Sequence, residues 1–343
     1  MGKTYRIKDI AELSGVSTGT VDRILHNRGK VSEEAQKKVE KVLKEIDYHP
    51  NLIARSLALK KKYKFVTLIP SFGQGEYWAK LSEGINKAEQ ELFSYNIEVE
   101  RMYFNQYDRS SFDNLIPKIE EADCQGVIIA TLFKESVIQL TQQLDKLEIP
   151  YVLIDAFIEN TNCIAYYGTN SYDSGYIAGR LLFEQIHPED NIAIFRFIRK
   201  GDMHSTQVMK REEGFREAFD GSDFEIMETQ YGEGDAAKSQ SIAENYITQG
   251  VVGIFGCNEG STTGAGNAIK ASGNTDIIGV GFDKSDAILN LIDDGYLLCT
   301  MAQNPDVMGS EGVKAAVRAI GGEDLGGEVT DTGVSVLTKD SDK

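Results

Sequence analysis

Ile7-Lys8-Asp9-Ile10-Ala11-Glu12-Leu13-Ser14-Gly15-Val16-Ser17-Thr18-Gly19-Thr20-Val21-Asp22-Arg23-Ile24-Leu25 is a pair of short helices around a tight turn. Ile7, Ile10 and Ala11 fall on one helical face, and Gly15-Val16 supplies the turn. Ser17 is a good N-cap for a second helix running from Thr18 to Leu25, with Val21, Ile24 and Leu25 inward. Asn27-Arg28-Gly29-Lys30 breaks that helix. Ser32 caps a third, with Glu33 and Glu34 at its positive end and Ala35, Val39, Val42, Leu43 and Ile46 at helical spacing. Two helices joined by a glycine turn make a helix-turn-helix, and the third closes a small core. The outward side chains of the second helix then face a major groove: Thr18, Gly19, Thr20, Asp22, Arg23 and His26. Arg23 has the planar fork that matches a guanine edge, while Thr18 and Thr20 suit phosphate or methyl contacts.

Charge divides the chain in the same place. Residues 1–63 hold 14 basic and 8 acidic side chains, a surplus of six, and the remainder carries −23, giving −17 for all 343 residues. A cationic head can meet a polyanion that the acidic body repels. Lys60-Lys61-Lys62 and Lys64 read as a solvated join that adds nonspecific phosphate attraction. The four cysteines, Cys124, Cys163, Cys257 and Cys299, lie far apart without a Cys-x-x-Cys pair, which fits a reducing compartment. No apolar run is long enough to cross a bilayer, and Met1 to Arg6 leads into mixed polar sequence without a secretory core, so a cytoplasmic protein is expected.

From Phe65 the pattern changes. Apolar runs at Phe65–Ile69, Ile97–Tyr103, Gly126–Ala130, Tyr151–Ile154, Asn191–Phe197, Glu225–Tyr231, Val252–Phe255 and Ile277–Gly281 alternate with helical stretches at Trp78–Phe93, Phe112–Glu121, Lys134–Leu147, Glu212–Phe219, Ala236–Gln249 and Ser261–Ser272. Continuous apolar strands between helices mean parallel sheets covered on both faces. The body is long enough for two such sheets. The expected fold is therefore an all-α helix-turn-helix head plus an α/β body of two doubly wound parallel-sheet subdomains. Ligands of such sheets gather at the carboxyl ends of strands. The side chains that follow the strands are Tyr77, Trp78, Asp155, Arg211, Asn258, Asp283 and Gln303. Aromatic faces cover the C–H faces of a sugar ring, and carboxylates, amides and a guanidinium hydrogen-bond its hydroxyls or an anionic group.

Residues 7–17, Thr20 to Leu25, Val31-Ser32 and Tyr48-His49-Pro50-Asn51-Leu52-Ile53-Ala54-Arg55-Ser56-Leu57 closely resemble the head of the lactose-repressor family, over about fifty residues. Asp22 stands where the family usually has Ser. The resemblance implies that Pro50 to Leu59 is a hinge helix that pairs with a dimer mate and enters the minor groove, with Leu57 wedged into the central step and Asn51, Ala54 and Arg55 beside it. The body resembles type 1 periplasmic sugar-binding proteins, most nearly the ribose and pentose binders. The residues that carry this are Arg211-Glu212-Glu213-Gly214-Phe215, Cys257-Asn258-Glu259, Val280-Gly281-Phe282-Asp283 and Met301-Ala302-Gln303-Asn304-Pro305, with Tyr77-Trp78 and Asp155. It implies an interdomain cleft and three chain crossings, near Tyr167, Leu298 and Gly326. The implied layout is a DNA-binding domain at 1–49, hinge and linker at 50–63, one sensor subdomain at 64–167 with 298–326, and the other at 168–297 with 327–343. Ala156 replaces an arginine of the ribose-type pattern, Gly75-Glu76 replace Asn-Pro, and Gly234 replaces an aromatic, so a roomier, differently charged pocket is expected.

The implied function is a repressor, working as a homodimer on a near-palindromic DNA operator and controlled by a monosaccharide-like effector, with no cofactor and no membrane partner. A secreted sugar receptor would account for the body equally well; the helix-turn-helix argues against it. An enzyme would need a constellation the sequence lacks. Gly264-Ala265-Gly266 misses the third glycine of a dinucleotide fingerprint, no Walker loop, Gly-x-Ser-x-Gly or His-Glu-x-x-His occurs, and His26, His49, His187 and His204 have no metal-ligand spacing. Replacing Leu57 by Ala is expected to weaken specific DNA binding by about 1–3 kcal/mol, the scale of losing readout at one base pair, and to reduce DNA bending in a gel-shift assay. Unchanged affinity and bend angle would remove the wedge role.

Overall fold

A computed structural model describes residues 7–25, 29–46, 62–75, 77–187, 190–197, 206–227, 230–232 and 236–341. His26, Asn51, Ala54, Arg55 and Leu57, and with them nearly all of the expected hinge at 50–63, lie outside the described residues, as do Glu76 and Gly234.

The head is three helices, α1 (Ile7–Ser14), α2 (Thr18–Leu25) and α3 (Glu33–Glu45). Gly15 adopts φ +67° in the turn between α1 and α2. Ser17 caps α2 by accepting from the Thr20 amide at 3.1 Å, and Ser32 caps α3 by accepting from Ala35 at 3.3 Å. Ile10, Ala11, Val21, Val39 and Val42 form the buried core, and Ile7, Val16, Ile24, Leu25, Leu43 and Ile46 pack against it. These are the periodic positions of the sequence, so the local pattern and the tertiary core agree.

The body is two parallel sheets. One contains β1 (Tyr63–Pro70), β2 (Ile97–Phe104), β3 (Gly126–Ala130), β4 (Tyr151–Asp155), β5 (Ala165–Gly168) and β12 (Glu328–Asp331), in the order β2-β1-β3-β4-β5-β12, all parallel. The other contains β6 (Asn191–Phe197), β7 (Glu225–Ile226), β9 (Val251–Gly256), β10 (Ile278–Phe282), β11 (Cys299–Gln303) and β13 (Val334–Leu337), in the order β7-β6-β9-β10-β11-β13. β8 (Gln230–Gly232) also pairs with β6, so the single strand expected at Glu225–Tyr231 is two short pieces on one neighbour. β13 runs antiparallel to β11, so the second sheet departs from the first both here and in the extra strand β8. Every residue of β3, β4 and β5 is buried, because helices cover both faces.

Those helices are α4 (Tyr77–Glu91), α5 (Arg109–Asp113), α6 (Ile116–Glu121), α7 (Lys134–Lys146), α8 (Ser171–Phe183), α9 (Thr206–Glu217), α10 (Ala236–Thr248), α11 (Glu259–Ser272), α12 (Asp286–Asp293) and α13 (Pro305–Ile320). Three of them, α8, α12 and α13, fall outside the helical stretches read from the sequence. Of these, α8 and α13 are rich in small residues, and packing explains why. A Cβ on Gly175 of α8 would lie 1.9 Å from the Arg211 carbonyl oxygen of α9, and one on Gly309 of α13 would lie 2.3 Å from the Leu81 carbonyl oxygen of α4. Glycine weakens an isolated helix but lets these backbones touch.

The crossings fall later in the chain than expected. Leu298 is not a crossing, because Cys299–Gln303 pairs with β10 in the second sheet; the chain returns to the first lobe at Asn304, and α13 joins the first lobe's core. Gly326 is not a crossing either. Gly326 and Gly327, at φ +59° and +74°, make a turn that feeds β12, which pairs with β5. The first crossing follows Gly168, one residue after the expected Tyr167, and the third follows Asp331. The subdomain bounds at 298 and 327 are corrected accordingly, since an apolar strand continues its sheet and a glycine pair makes a turn more often than a domain border. The three crossings are tied together. Thr332 donates its amide at 2.7 Å and its hydroxyl at 3.1 Å to the Gly168 carbonyl, and Asn304 Nδ2 donates to the Thr332 carbonyl at 2.9 Å.

All four cysteines are buried, and none is in a disulfide. Burial raises the Cys124, Cys163 and Cys299 thiols, the last to about 12. Among the described residues no helix is long and apolar enough to cross a membrane. Gly175→Ala is expected to destabilise the protein by about 1–3 kcal/mol, because two rigid backbones must part, lowering the melting temperature by several degrees in a thermal scan.

Candidate effector cleft and DNA-binding head

All seven side chains read from the strand ends line one cleft of about 350 Å³ between the two lobes. Tyr77 and Trp78 open α4, directly after the loop from β1. Trp78 is buried, and the two rings meet edge to face at 4.8 Å. Asp155 ends β4 and Asp283 follows β10, the corresponding strand of the other sheet, so the carboxylates come from matching positions. Both adopt left-handed backbone, at φ +84° and +72°. That conformation costs a non-glycine residue about 1–3 kcal/mol and concentrates at functional sites. Side chains hold it in place: the Tyr166 hydroxyl donates to the Asp155 carbonyl at 3.0 Å, and the Thr300 hydroxyl to the Asp283 carbonyl at 2.8 Å.

The carboxylates are already partly engaged. Tyr77 donates to Asp155 Oδ1 at 2.9 Å, while Asp283 accepts from Gln303 Nε2 at 2.6 Å and from the Glu259 amide at 3.0 Å. Burial, followed by the charges of Asp155 and Asp283, pushes the Tyr77 phenol well above its usual value. It is therefore a donor across the physiological range.

Arg211 is 2% exposed, one of the largest fully buried side chains. It lies on α9 with its guanidinium 4.1 Å above the Phe282 ring, and Nη1 donates to the Cys257 carbonyl at 3.0 Å. Its Nε and Nη2 have no hydrogen-bond partner among the described residues. A buried guanidinium calls for acceptors, so these two donors suit oxygen atoms of a bound molecule. Asn258 caps α11 through Oδ1, which accepts from the Ser261 amide at 3.1 Å and its hydroxyl at 2.8 Å. The cap fixes the carboxamide at the cleft wall.

Sequence reasoning missed Gln207, Thr131 and Phe157, which also line the cleft. Gln207 was legible in one respect: it stands four residues before Arg211, hence on the same face of a helix. Thr131 and Phe157 follow β3 and β4, where the strand-end rule applies. Ala156 lines the cleft too, and among the described residues Arg211 and Lys134 are the cations of its wall, against Asp155, Asp283 and Glu259.

In the head, Thr18, Gly19 and Arg23 are exposed on α2, opposite the buried Val21. Thr20 is half-buried, and its hydroxyl shares a 2.9 Å hydrogen bond with Ser17, so part of its bonding capacity serves the cap. Arg23 is the exposed guanidinium of this face.

Residues 6–51 match the family model described as bacterial regulatory proteins, lacI family, and residues 65–324 match the one described as periplasmic binding protein domain. The chain belongs to the LacI family of transcriptional repressors, with a periplasmic-binding-protein body. This repressor is 25% identical over 291 residues to the HTH-type transcriptional repressor PurR of Histophilus somni, covering 81% of each chain. It is 26% identical over 213 residues to the ribose import binding protein RbsB of Haemophilus influenzae, covering 61% of this chain and 71% of that one. A solved structure described as a LacI transcriptional regulator from Bacteroides fragilis superposes with a TM-score of 0.73 at 25% identity, covering 81% of this chain and 98% of that one. The family is one of regulators with a sugar-binding body, not of enzymes.

Tyr77→Phe leaves Asp155 short of a donor and is expected to lower the repressor's unfolding free energy by about 1–2 kcal/mol at neutral pH. A phenol whose folded pKa lies above its unfolded one stabilises below about pH 10 and loses that contribution as pH rises through the folded value. Denaturant unfolding at neutral and at strongly alkaline pH checks both points, since the variant lacks the alkaline loss from this group.

Proposed function

We propose that this repressor is a homodimer that binds a near-palindromic operator in the cytoplasm and changes its operator affinity when an uncharged monosaccharide enters the cleft. The observation that carries the reading is the arrangement of the cleft walls. Carboxylates at matching strand ends of the two lobes line the cleft, beside a buried guanidinium whose Nε and Nη2 have no partner among the described residues. Hydroxyl groups both donate and accept, so a polyol satisfies Asp155, Asp283 and Arg211 together. Trp78 and Phe157 offer apolar faces to the ring carbons. Among the described residues the wall carries three carboxylates and two cations, a balance that disfavours a phosphorylated sugar. A volume of about 350 Å³ is at the small end for ligand sites, in keeping with one sugar ring.

Control follows from the crossings. A ligand held by both lobes biases the angle between them, and that angle sets the spacing at which the two heads leave the paired bodies. Half-site recognition depends on this spacing. A coupling of about 1–3 kcal/mol is enough to switch an operator. The cleft binds its sugar without changing it: Tyr77 and Gln303 donate to the carboxylates and orient them, and their remaining acceptor capacity meets hydroxyls of the sugar.

A thermal-shift screen of neutral monosaccharides beside their phosphate esters tests the effector class. The expected result is a raised melting point with a neutral sugar and none with its phosphate, by mass action on the folded state. With the sugar found, Asp283→Ala should abolish its effect on a DNA mobility shift while leaving sugar-free DNA binding near the unaltered level. A phosphate ester as the better ligand overturns the class, and a full-length protein that shifts no genomic fragment overturns the DNA reading.

A further inference from the structure

Gln207 sits at the start of α9, in the second lobe, and reaches across the cleft. Its Nε2 lies 3.3 Å from Asp155 Oδ1 in the first lobe and 3.3 Å from Gln303 Oε1 in the second. It also approaches the Asp155 carbonyl oxygen at 3.5 Å. Both proton-bearing directions of the amide are thus used, one toward each lobe. Around it the polar groups join into one chain: Tyr77 to Asp155, Gln207 to Asp155 and Gln303, Gln303 to Asp283. The chain starts on α4 in one lobe and ends beside β10 in the other. The inter-lobe bonds near Gly168, Asn304 and Thr332 lie where the backbone itself crosses, and they would persist at any opening angle. The bond from Gln207 to Asp155 is away from the crossings, so only a closed cleft can form it.

We infer that Gln207 is a clasp that holds the two lobes together before any effector arrives, and a specificity-determining residue for what enters. Its amide occupies the hydrogen-bonding side of Asp155 and Gln303 that faces the gap. A ligand that closes the cleft more firmly must offer donors and acceptors to the same two groups, as neighbouring hydroxyls do. The bonds are long, so each is at the weak end of the usual range. That suits a contact which a ligand displaces and does not compete with permanently.

The protein carries its own reporter, since Trp78 is the single tryptophan of the chain and lines the cleft. Gln207→Met keeps the length of the side chain and removes its donors. In the full-length protein without added sugar, the acrylamide quenching constant of Trp78 is expected to rise at least about twofold, as loss of the weak bond to Asp155, the one that crosses between the lobes, shifts the open–closed balance by about fivefold. Small-angle X-ray scattering of the same sample should show a larger radius of gyration with an unchanged circular-dichroism spectrum. Gln207→Asn, which retains the amide on a shorter stem, should give the same two changes. Quenching and radius of gyration equal to those of the unaltered protein in both variants would overturn the clasp, and would leave the sugar-sensor reading standing. A rise in quenching with no change in dimensions would also overturn it, by showing a local exposure of Trp78 without lobe movement.

Discussion

Everything the body does depends on the bonding at the three crossings. Two sheets of the same strand order, each with its own buried core, are linked by the chain where it passes after Gly168, at Asn304 and after Asp331. Thr332 and Asn304 knit these passages through backbone carbonyls. These bonds hold the three passages to one another, the place about which hinge closure of two lobes turns. A cleft that opens about a fixed axis can be read by whatever is attached to the lobes.

Facing that axis, the cleft shows a symmetry that the strand order imposes. β4 and β10 occupy equivalent places, and each delivers an aspartate in left-handed backbone. Each strained carbonyl is held by a hydroxyl from a neighbouring strand, Tyr166 on one side and Thr300 on the other. The lobes differ in what surrounds the carboxylate. The first supplies Tyr77 and Trp78, while the second supplies Arg211, stacked on Phe282, and the cap of α11. One lobe offers aromatic surface and a phenol donor, the other a guanidinium and carboxamides. A small molecule between them meets different chemistry on its two faces, so it has one preferred orientation.

Much of this was legible in the residues. Apolar runs such as Gly126–Ala130 and Tyr151–Ile154 became strands at those positions, and the polar residues after them met in one cleft, because a parallel sheet sends all its carboxyl ends the same way. The head was legible through Ser17, Ser32 and the spacing of Ile10, Val21 and Val39. Two helices were hidden by their glycines, α8 and α13, since Gly175, Gly179 and Gly309 lower intrinsic helicity and reveal their purpose only when a second backbone lies against them. The crossings were misplaced for a related reason. Gly326-Gly327 looks like a border, and only the pairing of Glu328–Asp331 with β5 shows that it is a turn. Gln207 escaped notice because its partners, Asp155 and Gln303, are distant in sequence, and no local spacing predicts such a meeting.

The burial of all four thiols has a practical corollary. With Cys124, Cys163 and Cys299 held in the protonated form by their surroundings, none is a ready nucleophile toward maleimide or nitroxide reagents at neutral pH. A pair of cysteines introduced on the outer surfaces of the two lobes would therefore take spectroscopic labels ahead of the native ones. The separation of the lobes becomes a distance that can be followed in solution without first stripping the chain of its own sulfur.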